Sequence, residues 1–132
     1  VMGANGGIFP VISKPIRYYV GANLGSGKQW QSWIHIQDLV RIFMFVLELK
    51  LDGVYNAVAP NPVQQIDFVK SVASVLKRPL ILPKTPKFLL DFLLGEMSAI
   101  VLESQRVSSR KIEDLGFEFK FYEIETALDD LM

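Results

Sequence analysis

Cysteine is absent from the 132 residues, which excludes a disulfide framework, a thiolate nucleophile and any thiolate metal site. Histidine occurs once, at His35, with no second candidate ligand at metal spacing, so no metal is expected. An excess of either charge is lacking too. Fourteen Lys and Arg face fourteen Asp and Glu, so neither nucleic acid nor an anionic membrane is an expected partner. Long hydrophobic runs are missing as well. The longest apolar stretches, residues 42–47 and 88–94, fall far short of the roughly 20 residues needed to span a bilayer, and no secretory signal is visible. What is present is apolar material: half the residues are hydrophobic and the mean hydropathy is +0.27. That suits one domain over residues 1–132, with a surplus best explained by a neighbour that covers part of its surface.

The richest stretch is GSGKQWQSWIHIQDLVRIFMFVLE (residues 25–48) followed by GVYNAVAPNPV (residues 53–63). SWIHI (residues 32–36) is a β-branched and aromatic run that predicts a strand. Asp38 is placed to cap a helix whose apolar positions Leu39, Ile42, Phe43, Val46 and Leu47 recur at helical spacing, and GVYNAVA predicts a second strand. A βαβ unit with parallel strands implies an α/β fold, whose ligands bind at the carboxyl ends of the strands. Attention therefore falls on the loops after Ile36 and Ala59.

Elsewhere the signals are plainer. Residues 1–29, rich in glycine with Pro10 and Pro15, predict mostly loop with room for short apolar elements, a mobile lid or linker region. GANGG (residues 3–7) is no dinucleotide fingerprint, since Phe9 stands where glycine is needed and Pro10 interrupts the helix expected next. GANLGSGK (residues 21–28) fails as a P-loop, with Ala22 in place of glycine and Gln29 in place of the Ser or Thr that holds magnesium. Residues 65–77 carry Ile66, Val69, Val72, Ala73 and Leu76 on one helical face and end at Arg78-Pro79. An extended piece at 80–83, helices at 85–95, 96–104 and 123–132, and an alternating FEFKF (residues 117–121) complete a mostly helical lobe.

In order along the chain, WIHIQDLV (33–40), YNAVAPNPV (55–63), LLGEM (93–97), QRV (105–107) and LGFEFKF (115–121) resemble the C-terminal half of extended short-chain dehydrogenases/reductases. The NPV turn and the GEM-to-QRV spacing are most similar to an epimerase-like subfamily, often labelled nucleoside-diphosphate-sugar epimerases, with some relatives labelled cell-division inhibitors. The resemblance implies a fragment of a Rossmann-like fold. Its glycine-rich NAD or NADP site and its Tyr-x-x-x-Lys pair would lie upstream of Val1, in a missing N-terminal Rossmann half. No tyrosine here has a lysine four positions on, so no catalytic residue is expected in this chain, nor any cofactor held by it alone. The implied chemistry is hydride transfer on a sugar nucleotide. The alternative is a non-catalytic NAD(P)-sensing or regulatory protein of the same fold. A cytoplasmic location follows from the resemblance, and the uncovered surface implies self-association.

Four residues are candidate substrate contacts. Arg106 matches a position where the superfamily places a phosphate-contacting Arg; a salt bridge to Glu103 would be its structural alternative. Gln31 stands where nucleotide-sugar members carry Arg, which weakens a diphosphate contact there. Trp30, beside Gln29, Gln31 and Trp33, offers an aromatic face of the kind that grips a sugar or base, and equally fits core packing. Asn61, between two prolines, is a turn residue at a strand end. His35 and Asp38 are read as structural, the one hydrogen-bonded within a strand and the other a helix cap.

Overall fold

The computed structural model describes residues 1–18, 27–79 and 103–132. The expected extended piece at 80–83 and helices at 85–95 and 96–104 therefore lie outside the described residues, save for residues 103 and 104.

The chain opens with a small hairpin, β1 (Met2–Gly3) paired antiparallel to β2 (Gly6–Gly7). Gly7 has φ 73° and ψ −154°, a region that side-chain-bearing residues avoid, and a Cβ there would run into the Val1 carbonyl. Helix α1 (Ile8–Arg17) follows at once, where the composition predicted loop. Its two prolines do not act alike: Pro15 lies inside the helix and forgoes a backbone hydrogen bond there, against the burial of the helix's apolar face, whereas the first is placed without that cost. Pro10 sits in the first turn, whose N–H groups lack intrahelical acceptors, so its ring costs no hydrogen bond there. Phe9, Ile12 and Ile16 are then buried at helical spacing.

Two further departures concern the predicted βαβ unit. The regular ladder pairs β3 (Trp30–Gln31) antiparallel with β4 (Val63–Gln64), Trp30 opposite Gln64. At 32–36 one parallel bridge forms among the described residues, between Met2 and His35. Even so, Met2 N–H donates to the Ile34 carbonyl at 2.8 Å and Ala59 N–H to the Trp33 carbonyl at 2.7 Å. Three extended segments thus lie side by side, linked too sparsely among the described residues to count as a ladder. Trp33 belongs to one hydrophobic cluster and its neighbour Ile34 to the other, so this segment buries both faces. Burial on both faces is the property that parallel α/β sheets require.

Helix α2 (Ile36–Glu48) begins two residues before Asp38, and its N-cap is His35. α3 (Gln65–Leu76) matches the reading of 65–77 closely. It lacks a side-chain cap at Gln64, whose amide instead donates to the Lys28 carbonyl, and it closes on Lys77 in the left-handed conformation. α4 (Arg110–Asp114) and α5 (Ile124–Leu131) complete the set. FEFKF forms no strand, yet Phe117, Phe119 and Phe121 are buried while Glu118 and Lys120 are exposed, so its alternation survives. The larger core joins Phe9, Ile12 and Ile16 of α1 to Phe68 and Val72 of α3 and Leu128 of α5. On α2, by contrast, Ile36, Val40, Phe43, Met44 and Leu47 are 40–70% exposed, leaving an apolar stripe along its outer side.

Candidate functional site

Three of the four predicted contacts meet along one line. Residues 103–107 run beside 30–32, bound by one backbone–backbone hydrogen bond and by side-chain bonds from Ser32, Ser104 and Gln31 to backbone groups. Trp30 N–H donates to Ser104 Oγ at 2.9 Å, and Gln105 N–H donates to the Trp30 carbonyl at 3.0 Å. Ser32 Oγ donates to the Gln105 carbonyl at 2.8 Å and accepts from Val107 N–H at 2.9 Å. This clamp carries Arg106 onto Trp30, with the guanidinium 4.5 Å from the ring centroid. That distance is a cation–π contact, which fixes where the guanidinium sits without using its N–H donors. Among the described residues no ion pair joins Arg106 to Glu103. Gln31 turns its amide toward the Glu103 carbonyl at 3.5 Å.

Gln31 also borders a recess of about 210 Å³ lined by Val1, Gly7, Ile8, Ser32, Trp33 and Phe68. Its floor is apolar, and Gln31 and Ser32 supply polar groups at one side. Ligand sites combine an apolar wall with a few placed polar groups in this way, though at roughly 300–1,000 Å³ they are usually larger.

Asn61 lies elsewhere. Its carbonyl accepts from Trp33 Nε1 at 2.8 Å, and its amide donates to the Tyr122 carbonyl and to Glu123 Oε1 at 3.2 and 2.8 Å. These bonds tie the Pro60–Pro62 turn to the start of α5.

His35 and Asp38 are structural, though Asp38 not as expected. His35, 1% exposed, accepts from Gln37 N–H through Nδ1 at 3.1 Å, stacks on Phe121 at 4.0 Å and places Nε2 3.1 Å from Asp130 Oδ2. With Nδ1 accepting, the neutral ring carries its proton on Nε2, toward the carboxylate. Burial pushes its pKa below 6.5, partly opposed by Asp130 and Asp38. The predicted cap at Asp38 is corrected: the residue is inside the first turn of α2, fully buried, and its carboxylate accepts from the backbone N–H groups of Lys120 and Phe121, each at 2.9 Å, and from Arg41 Nη1 at 2.7 Å. No local pattern could have revealed this, since the partners lie more than 80 positions away. Ser32, which organises the clamp, carried no signal either.

The GANGG loop does not suit a dinucleotide. It forms the β1–β2 hairpin, and at the following helix start Ile8 N–H is taken by the Val1 carbonyl while Pro10 has no N–H to offer. Among the described residues no group of His, Asp or Glu is arranged to hold a metal, and no helix is long and apolar enough to cross a membrane.

Comparison with known proteins adds the family. Residues 85–131 match a family described as Domain of unknown function (DUF1731). The whole chain is similar to an epimerase family protein of Staphylococcus epidermidis, at 40% identity, and to one of Staphylococcus aureus, at 37%, each over 44% of that protein. Among solved structures, human epimerase family protein SDR39U1 (isoform 2), crystallised with NADPH, superposes with TM-score 0.88 at 31% identity, covering 98% of this chain and 44% of that one. A nucleoside-diphosphate sugar epimerase from Corynebacterium glutamicum gives TM-score 0.72 at 27% identity over 96% of this chain and 23% of that one. The chain thus spans less than half the length of these relatives. Its length-wide similarity to them, in sequence and in fold, is that of a C-terminal portion of an epimerase-family, extended short-chain dehydrogenase/reductase.

Proposed function

We propose that residues 1–132 form the substrate-side part of an NAD(P)-dependent epimerase- or dehydratase-like oxidoreductase, with the cofactor site and proton-transferring residues in a nucleotide-binding half. The observation that carries this reading is the contact of Arg106 with Trp30 beside Gln31 and the adjoining recess. An Arg held against an aromatic ring and joined to no carboxylate among the described residues is prepared to meet an anionic oxygen with its N–H donors. The recess beyond Gln31 then receives an uncharged portion of the ligand. A sugar nucleotide has both parts. Bound NAD or NADP would supply the hydride chemistry; the role of these residues is to orient the substrate. Asn61, already committed to Tyr122 and Glu123, acts here by holding the turn.

The test is Arg106→Ala in a protein that carries both halves, titrated with nucleotide sugars. Loss of a charge-assisted bond worth about 1.5–3 kcal/mol weakens binding roughly ten- to hundredfold, with cofactor affinity unchanged. Equal affinities for wild type and variant would refute the assignment. One observation favours a second reading, a nucleotide-responsive regulator without turnover: Gln31 replaces a cation and spends its amide on the Glu103 carbonyl. Substrate-independent cofactor binding with no turnover of any nucleotide sugar would select it. The apolar stripe on α2 supports self-association of the isolated chain at high concentration.

A further inference from the structure

The first 37 residues contain no aspartate or glutamate, although the chain as a whole is charge-balanced; their cations are Lys14, Arg17 and Lys28. Two of these converge. Positions 10, 13, 14, 17 and 18 share one face of α1 and its end, and there Pro10, Ser13, Lys14, Arg17 and Tyr18, with Phe9 and with Ala4 of the hairpin turn, line a recess of about 420 Å³. Among the described residues no carboxylate lines it. Among the described residues neither Lys14 nor Arg17 takes part in an ion pair. Cations in the last turn of a helix are common, because its carbonyls attract them, and that alone accounts for their presence. It does not account for both of them bordering one concavity with a phenol and a hydroxyl, a lining of hydrogen-bond donors beside the apolar surface of Phe9 and Pro10.

We propose that this recess is a binding site for a phosphate-bearing small molecule, separate from the Trp30–Arg106 site. Lys14 offers a mobile point charge and Arg17 a planar fork, and the two are complementary ways of meeting phosphate oxygens. The volume lies within the ordinary range for ligand sites of about 300–1,000 Å³, enough for more than a bare phosphate. Tyr18, 72% exposed at the rim, and Pro10 present flat surfaces to an organic body attached to it.

The test uses this chain itself and is read at residues 4–18 and through variants of Lys14 and Arg17, so binding at the Trp30–Arg106 site proposed above, which would shift residues 30–32 and 103–107 and ignore those variants, is told apart from binding at this recess. Backbone amide shifts are followed by NMR while sodium pyrophosphate or adenosine diphosphate is added at constant ionic strength. The expected result is saturable shifts concentrated at residues 4–18, and binding at least about fivefold weaker in Lys14→Gln and in Arg17→Gln. Lys70→Gln, an exposed cation on α3, serves as control and should bind as wild type. Both cations are exposed, so these variants are not expected to impair folding. Tighter binding of adenosine diphosphate than of pyrophosphate assigns contacts to the organic body, and equal binding assigns a site for the phosphates alone. The proposal is overturned if neither probe saturates below about 10 mM, if the shifts spread equally over the other surface lysines, or if the two variants bind like wild type.

Discussion

Replacing Asp38 separates two accounts of the same residue. As a helix cap it would be worth about 1 kcal/mol, and Asn would serve almost as well. In the structure its carboxylate instead receives two backbone N–H groups, from Lys120 and Phe121, besides Arg41. Asp38→Ala strands the Phe121 N–H in a buried setting and leaves the Lys120 N–H partly so. Each orphaned donor costs about 1–3 kcal/mol, while Arg41, exposed and also donating to the Glu118 carbonyl at 2.7 Å, adds little. The expected loss is about 3–5 kcal/mol, a fall of roughly 10–20 °C in Tm for a chain of this size. Asp38→Asn is the sharper variant. An amide keeps one acceptor oxygen and turns a donor toward the other N–H, so it should cost at least about 1–3 kcal/mol despite its identical shape. Urea unfolding followed by circular dichroism measures both. If Ala costs about 1 kcal/mol and Asn nothing, the bridge between α2 and residues 120–121 does not stabilise the fold and the reasoning fails.

Two further outcomes are expected. His35 is held neutral by burial with its folded pKa below the ordinary 6.5, so the unfolded chain takes up its proton first as pH falls. Its stabilisation is present above about pH 6.5, declines below it and levels off under the folded value. Unfolding midpoints measured across this range should show that slope in wild type and lose it in His35→Gln. Lys77 closes α3 at φ 55°, a conformation that glycine adopts without steric cost, so Lys77→Gly should raise stability by about 0.5–1 kcal/mol in the same denaturation assay; a loss would show that the Lys77 side chain contributes contacts of its own.

Elements built from their own neighbours were legible in the sequence. Helix α3 could be read almost to the residue because Val69, Val72 and Ala73 repeat at helical spacing and a Pro follows. The alternation of FEFKF correctly gave the buried face of a segment that never enters a ladder. Helix α1 was hidden because two prolines suggested loop: Pro10 falls in the first turn, where it fits, and Pro15 lies in the interior against its local preference, in a helix whose Phe9, Ile12 and Ile16 are anchored in the larger core. The parallel strands shrank to single bonds because strand regularity is a property of neighbours on both sides, which a local pattern cannot supply. The candidate site divides along the same line. Trp30 and Arg106 were each legible as residue types suited to binding, but their contact depends on the clamp at Ser32 and Ser104, two serines with nothing in their surroundings to mark them.

The core that joins α1, α3 and α5 bears on how the matched segment at 85–131 can be used. Within that segment the larger core contributes Phe121, Ile124, Ala127, Leu128 and Leu131, and these pack against Phe9, Ile12, Phe68 and Val72 from outside it. Its second cluster is also shared, with Ile112, Phe117 and Phe119 meeting Ile34 and Ile42. Cut out at its boundaries, the segment would expose those faces and lose the carboxylate that receives the Lys120 and Phe121 N–H groups. Sequence families delimit what is inherited together, whereas autonomy requires a closed core, and here the two borders differ. An expression boundary at residue 85 would pass through the middle of a folding unit, and a stable smaller piece has to keep α1 through α3.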